Sequence, residues 1–387
     1  MKILFHINSL GKGGAEHVAA LLAAYLQKAG DETVFATEWE EAEEYALPAG
    51  VRRADVGVSA QAADKGRAPE NICARLFHIL CRIYRLRACI RRERPDIVLS
   101  FVKKANYRAA LALFGKSIPL IISVRNDPKT DYGGRGKYWI NRYMLRKAKG
   151  CVFQTPDAAA FFGEGFLSRS RIIGNPIEDR FFETERAVPA KEAPRIVTIG
   201  RLTAQKNQLL LLRAYDRALD VLRRAESGEE RTLPVLEIYG ADSGDGSREG
   251  LLSYIAKREL SELVFLKGTT EAPERALSRA ALFALSSDYE GLPNALLEAM
   301  AVGVPCVSTD CPCGGPRMMI ENGVNGWLVP VGDEVALSEA MLRLLTQTKA
   351  AEAMGQEAKK DAEALRADTV CKEWRAYIGE VWSRAKK

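Results

Sequence analysis

Histidine is scarce in this 387-residue chain, where His6, His17 and His78 are the only three. Only His6, near a strand end, suggests a base; a strand-end histidine is more commonly structural, so no catalytic role is assigned to it. Eight cysteines are present, but six are isolated, and only Cys311 and Cys313 stand close, in DCPCGGP. With no second Cys or His pair nearby, the spacing of a metal site is missing, and reduced thiols are expected. Long apolar runs are also missing. VAALLAAYL, the longest near the N-terminus, falls far short of the roughly 20 residues that cross a bilayer. The apolar stretch after Lys2 is broken at His6 and Asn8, so no secretory leader is expected. Repeats, low-complexity tracts and nucleic-acid-binding motifs do not appear either. These absences predict a cytoplasmic protein that sits on a membrane rather than through it, with no nucleic-acid partner.

What is present is an ordinary globular balance, 47% hydrophobic and 27% charged residues, in a chain long enough for two cores. The net charge of +6 is uneven: residues 1–190 carry 30 Lys and Arg against 21 Asp and Glu, and the remainder carry 26 against 29. A basic first half implies an anionic partner there, such as a phosphorylated substrate or an anionic lipid surface.

Short β-branched or apolar runs alternate with helical patterns, as in parallel sheets with crossover helices. KILFHIN, ETVFAT, DIVLSF, LIISV and CVFQT are strand candidates in the first half, with helices over 15–30, 71–94 and 135–148. RIVTIG, VLEIYG, LVFLKG, LFALSS and PCVST form a second series, with helices near 206–224, 249–260, 293–302 and 333–345. The tail from 350 to 387 reads as helical, with Trp374 and Trp382 available to dock it. The pattern predicts an α/β chain with a first domain at 1–177, a proline-bearing linker at 178–194, a second domain at 195–366 and a C-terminal helix at 367–387. Two such halves create a cleft, and ligands of open parallel sheets bind beyond the carboxyl ends of the strands.

The loops in those positions are distinctive. SLGKGGAEH follows the first strand, so Gly11, Gly13 and Gly14 let backbone amides approach an anion at a helix N-terminus, although the spacing matches neither a dinucleotide fingerprint nor a P-loop. GRLTAQKNQ follows the first strand of the second series; Arg201 and Lys206 either converge with helix amides on a diphosphate or are ordinary surface charge. In SSDYEGLPNALLEAMAVGVPCVSTD, Glu290 lies on a Gly-Leu-Pro turn and Glu298 about a turn and a half inside the following helix, which Pro293 starts and Gly303 stops. The amides of Gly291, Leu292 and Asn294 then cluster at a helix N-terminus. Two carboxylates flanking an anion site suit hydroxyls on either side of a diphosphate, and this spacing gives neither a facing catalytic pair nor convergent metal ligands. The alternative is a dipole-stabilising Glu290 and a solvated Glu298.

Taken together, EGLPNALLE resembles the E-x(7)-E motif of retaining glycosyltransferases of family 4, and GRLTAQKNQ resembles that family's phosphate turn. GGAE, GNPI and GVPCVSTDCPCGGP are also similar, in order, over nearly the whole chain. The resemblance implies a GT-B fold, two Rossmann-like domains with parallel sheets facing across a cleft, the first holding the acceptor and the second the nucleotide sugar. It implies that Arg201 and Lys206, on a turn opened by Gly200, bind a donor diphosphate. Glu298 would then hold the ribose and Glu290 the transferred sugar, with Gly291, Leu292 and Asn294 offering amides. Gly13 and Gly14 would line the acceptor side, and the C-terminal helix would cross back to the first domain. Transfer with retention, from a UDP-sugar and without metal or other cofactor, is the implied chemistry.

One departure is LIISVRNDP, where many members carry His-Asp; here Arg125, Asn126 and Asp127 stand instead. This form is similar to members that build undecaprenyl-diphosphate-linked oligosaccharides, including those adding N-acetylgalactosamine. Arg125 and Asn126, with Lys103 and Lys104 beyond VLSF, are candidates for an acceptor phosphate on a polyprenyl-diphosphate-linked or other glycan. The stretch ARLFHILCRIYRLRACIRRERP is amphipathic and basic, suited equally to an anionic membrane surface or to a sheet with its arginines in water. Two other classes share parts of this pattern, a nucleotide-sugar epimerase of the same architecture and a non-enzymatic basic peripheral protein.

Overall fold

The computed structural model describes residues 1–57, 72–188, 192–225 and 232–386. The chain divides into two compact units, Met1–Pro176 with Ala367–Lys387, and Ile177–Arg366. The first unit is a parallel sheet of β1 (Lys2–His6), β2 (Glu32–Thr37), β3 (Arg52–Asp55), β4 (Ile97–Phe101), β5 (Leu120–Ser123), β6 (Gly150–Phe153) and β7 (Ser170–Ile172), in the order β3-β2-β1-β4-β5-β6-β7. The second holds β8 (Arg195–Ile199), β9 (Val235–Tyr239), β10 (Val264–Gly268), β11 (Leu282–Leu285), β12 (Cys306–Thr309) and β13 (Trp327–Val329), ordered β10-β9-β8-β11-β12-β13. The two-sheet α/β class expected from the alternating pattern is thus the one found.

The ten strands read from apolar runs are all present. The three that escaped, β3, β7 and β13, are edge strands of three or four residues with sequences RRAD, SRI and WLV. An edge strand is covered on one side only, so it needs no sustained apolar run. The helix expected over 135–148 is preceded by a 3-10 turn and runs Tyr138–Lys147. α1 (Gly14–Lys28) and α2 (Ile72–Glu93) follow the expected pattern, except that position 71 of the expected second helix lies outside the described residues, and α3 (Lys103–Ala112) is a helix the sequence reading did not place.

The segment 178–194 differs from the linker read there. Its described residues open with a short helix, Asp179–Glu183, whose Phe181 and Phe182 are buried in the second unit's core beside Val197, Phe283 and Leu296. Two adjacent aromatic rings hold the strand-poor segment down, a signal that its prolines and missing periodicity obscured; residues 189–191 lie outside the described residues.

The C-terminal helix Ala367–Lys386 packs on α1 within the first unit. Trp374 is its anchor: fully buried, its ring lies 5.8 Å from that of Phe101. The Tyr377 hydroxyl donates to the Arg169 carbonyl at 2.6 Å and accepts from the Cys151 amide at 2.9 Å, and Arg375 donates to Asp31 at 2.8 Å. Trp382, in contrast, is only partly buried and lies beneath the Lys386 ammonium. Removing a fully buried indole costs about 3–5 kcal/mol, so Trp374→Ala should lose that much from the first unit's denaturant unfolding transition. A loss below about 1 kcal/mol would show that the tail is an accessory to this unit rather than part of its core.

Candidate functional site

Three loops meet in the second unit, each leaving the carboxyl end of a parallel strand. The first follows β8. Gly200 donates its amide to the Tyr239 carbonyl at 2.9 Å, and a Cβ built on Gly240 would lie 2.0 Å from the Gly200 oxygen. Glycine at 240 therefore lets two strand ends touch backbone to backbone. The turn then carries Arg201, exposed, to Lys206, partly buried, ahead of the helix Gln208–Ala225.

The second loop follows β11 and contains Glu290, only 6% exposed. Hydrogen bonds zip it to the first loop: the Asp288 amide donates to the Gln205 carbonyl at 2.9 Å, Gln205 Nε2 to the Tyr289 carbonyl at 2.8 Å, and Ser286 Oγ to the Lys206 carbonyl at 3.0 Å. Asn207 Nδ2 adds a bond to Asp288 Oδ1 at 2.8 Å. At the centre, Lys206 Nζ stands 2.6 Å from Glu290 Oε1, which also accepts from Ser287 Oγ at 2.6 Å. A carboxylate taken out of water needs such a cation and donor.

The third loop follows β12. Pro312 accepts the Glu290 amide at 2.7 Å and Cys313 donates its own amide to the Glu290 carbonyl at 2.9 Å. A Cβ on Gly315 would lie 1.9 Å from the Gly291 oxygen, so this position admits only glycine without moving the Glu290 turn. The Cys311 thiol nearby is pushed up to about 12 by burial and then by the Glu290 charge. It is a neutral packing group, not a nucleophile.

Behind these loops runs the helix Asn294–Val302, with Pro293 in the N-cap position and Gly303 closing it at φ 86°. Gly291 and Leu292 are buried just before the helix, Asn294 opens it and Glu298 lies partly buried along it. The N-terminal amides of such a helix favour an anion. The structure thus brings Gly200, Lys206, Glu290, Gly291, Leu292 and Asn294 into one neighbourhood. It adds Ser287, Gly240, Pro312 and Gly315, which the sequence reading passed over.

The candidates of the first unit fall on the corresponding edge of its own sheet. Gly13 caps α1, where a Cβ would meet Glu16 Oε2 at 2.3 Å, and Gly14 opens the helix, exposed. Arg125, just after β5, donates to Asn175 Oδ1, which also accepts from Gln154 Nε2 at 2.7 Å. Its Nε and Nη1 are buried with no hydrogen-bond partner among the described residues. Burial lowers its pKa to about 9, opposed by the charge of Glu16. Asp127 caps the helix Pro128–Tyr132, accepting from the Thr130 amide at 2.9 Å and its hydroxyl at 2.6 Å. Lys103 faces Asp131 at 3.3 Å, while Lys104 is exposed and Asn126 is partly buried.

A second group is the buried cluster of His6, which the sequence reading took as structural, with Glu38 and Arg108, which it passed over. Arg108 donates to both Glu38 oxygens, His6 Nδ1 lies 3.0 Å from the Ala36 carbonyl, and Arg82 Nε stands 3.7 Å from Glu38. Burial lowers the His6 pKa, partly opposed by Glu38, so this imidazole is a neutral packing group. Arg108 also donates to Asn8 Oδ1 at 3.3 Å, and the Glu38 and Trp39 amides donate to the Asn8 carbonyl at 2.8 and 3.2 Å, fixing the glycine loop. Among the described residues, no three His, Cys, Asp or Glu side chains are grouped as a metal would require.

Comparison with known proteins matches residues 13–176 to the glycosyl transferase 4-like domain and residues 179–361 to glycosyl transferases group 1. An uncharacterized glycosyltransferase of Methanocaldococcus jannaschii is 29% identical over 63% of this chain and 62% of its own length. A Campylobacter jejuni enzyme, the GalNAc-alpha-(1->4)-GalNAc-alpha-(1->3)-diNAcBac-PP-undecaprenol alpha-1,4-N-acetyl-D-galactosaminyltransferase, is 24% identical over 98% of this chain and 99% of that one. Among solved structures, Anabaena HepE in complex with UDP superposes with a TM-score of 0.76 at 16% identity, covering 98% of this chain and 100% of that one.

The Lys206–Glu290 contact joins residues 84 positions apart, and its removal from one side leaves a buried charge. Lys206→Met should therefore destabilise the second unit by about 1–3 kcal/mol, and adding Glu290→Gln should recover at least half of the loss. Strictly additive losses in this double-mutant cycle would show that the two side chains are neighbours without coupling.

Proposed function

The chain belongs to the group 1 glycosyl transferases, with the two Rossmann-like units of the GT-B fold, and from that footing we propose a retaining, metal-independent transfer. The donor is a UDP-sugar carrying a hexose or N-acetylhexosamine, N-acetylgalactosamine first among them. The acceptor is a polyprenyl-diphosphate-linked or other glycan at the cytoplasmic face of a membrane. Among the described residues no helix is long and apolar enough to cross a membrane, which suits peripheral attachment. UDP is the ligand of the Anabaena structure, and the Campylobacter relative is named for the transfer of N-acetylgalactosamine to an undecaprenol-diphosphate glycan; both support the reading.

The observation that carries it is the Lys206–Glu290 pair at 2.6 Å, set where three strand-end loops meet the N-terminus of the Asn294–Val302 helix. One cation, helix amides and a carboxylate in contact suit an anion bound beside hydroxyl groups. In the proposed reaction the bond from the sugar's anomeric carbon to the diphosphate oxygen breaks, and its electron pair leaves with UDP. The acceptor hydroxyl oxygen bonds to that carbon on the same face, and its proton passes to the departing diphosphate. Lys206, Arg201 and the amides of Gly291, Leu292 and Asn294 meet the growing charge; each charge-assisted hydrogen bond contributes roughly 1.5–3 kcal/mol.

Glu290 and Lys206 then exchange partners. As the diphosphate engages the Lys206 ammonium, the Glu290 carboxylate turns to a hydroxyl of the transferred sugar, while Glu298 takes the ribose. Gly200 keeps the turn close enough for the phosphates. In the first unit, the two unpartnered N–H groups of Arg125, the amides at Gly13 and Gly14, and Asn126, Lys103 and Lys104 would receive the acceptor's anionic part.

The test is transfer from UDP-N-acetylgalactosamine to a polyprenyl-diphosphate-linked glycan, with the product's anomeric configuration read by NMR before it can equilibrate. An α product formed at the same rate in a strong chelator is expected, with kcat lowered on the order of a hundredfold by Glu290→Gln. A β product, dependence on an added divalent ion, or an undiminished Glu290→Gln variant would each contradict the reading.

A further inference from the structure

The amphipathic basic helix left open by the sequence turns out to face the other way from a packing helix. Leu76, Phe77, Leu80 and Tyr84 of α2 are 55%, 61%, 64% and 66% exposed, whereas Leu86, Cys89 and Ile90, nearer its end, are buried. The cause is length. A helix of 22 residues spans about 33 Å, while the five-residue β4 that follows it spans about 17 Å. Because α2 ends three residues before β4 begins, its first turns overhang the carboxyl edge of the sheet. The helix Tyr138–Lys147 ends just before β6 and so also starts at that edge, where it presents Tyr138 and Trp139, 54% and 76% exposed. α3 packs against both helices, which places them on one face of the sheet.

The exposed charges on these helices are basic, while the nearest acids, Glu38 and the exposed Glu40 and Glu43 of the turn after β2, lie by Arg82 farther along α2. Arg75, Lys104 and Arg142 are exposed near it. α2 carries six arginines against one acid, Glu93, at its far end, where Lys2 and Arg52 engage it. Asp131, the acid of the intervening short helix, is met by Lys103. Leucine, phenylalanine and tyrosine on α2, with tryptophan and tyrosine at the start of the Tyr138–Lys147 helix on the other side of α3 and exposed cations beside both, match the interface of an anionic bilayer. There the apolar groups reach the acyl boundary, the aromatic rings sit at headgroup depth and the cations meet lipid phosphates. A nucleic acid would satisfy the cations but leave the apolar row in water. We propose that the first turns of α2, with the start of the Tyr138–Lys147 helix, form the docking surface for an anionic lipid bilayer. The surface borders the sheet edge that holds Gly13, Glu16 and Arg125, so docking would bring that edge to the headgroups. The inference stands on this unit's surface and does not depend on the chemistry proposed for the other.

Co-sedimentation of the full chain with vesicles of equal parts phosphatidylcholine and phosphatidylglycerol, at near-physiological salt, tests it. Binding is expected to the mixed vesicles and to be much weaker to phosphatidylcholine alone. Phe77→Ser with Leu80→Ser should weaken binding about tenfold or more, with the circular dichroism and thermal midpoint unchanged. Cys73, exposed on the same helix, gives an independent readout: an environment-sensitive dye there, in a Cys81→Ser background, should shift to the blue on adding mixed vesicles. Failure of the full chain to bind, wild-type binding by the double variant, or a dye that stays in a watery environment would overturn the proposal. So would a patch variant that loses binding to single-stranded RNA while keeping its vesicles.

Discussion

A carboxylate held out of water must have a cation, and in this chain that requirement ties the second unit's site together. Glu290 is almost fully buried and finds Lys206 Nζ at 2.6 Å, a residue on a different loop, under a different strand. For that contact to exist, the turn after β8 and the loop after β11 must be zipped by the bonds through Gln205, Ser286 and Asp288. The loop after β12 must also approach so closely that only glycine fits at Gly315. The pair is a stabilising contact, because removing either partner leaves the other charge unmatched.

The first unit solves a comparable problem with different residues. Its buried charges, Glu38 just after β2 and Arg108 within α3, fix Asn8, from which the glycine loop runs to α1. Arg125 is the exception, a guanidinium whose buried Nε and Nη1 find no hydrogen-bond partner among the described residues and which feels the charge of Glu16. Polar groups left in that condition cost stability unless something meets them. The last helix completes this unit from the far end of the chain through Trp374 and Tyr377, so the sheet edge with the acceptor candidates depends on residues more than 200 positions away.

Much of this was legible in sequence, for identifiable reasons. Nine of the ten strands read from sequence lie inside a sheet, where both faces must be apolar; the tenth, β10, is an edge that still carries an apolar run, while β3, β7 and β13 are short edges without one. The helix stop at Gly303 and the clustering of Gly291, Leu292 and Asn294 follow from local chemistry alone. The Lys206–Glu290 contact does not, since periodicity carries no information on which distant loops meet. Amphipathicity likewise revealed two faces on α2 but not which one the sheet would cover; that was decided by the mismatch in length between helix and strand. Asp127 proved to be a helix cap, a role its position before Pro128 and Thr130 already allowed.

The uridine diphosphate site is proposed at the loops around Lys206 and Glu290. Calorimetric titration of the full chain with UDP, with GDP and NAD as comparison ligands at near-physiological salt, tests it most directly. Saturable binding of UDP, with little for the others and a marked loss in Lys206→Met, is the predicted result. No binding at millimolar UDP, or binding that Lys206→Met leaves untouched, would contradict it.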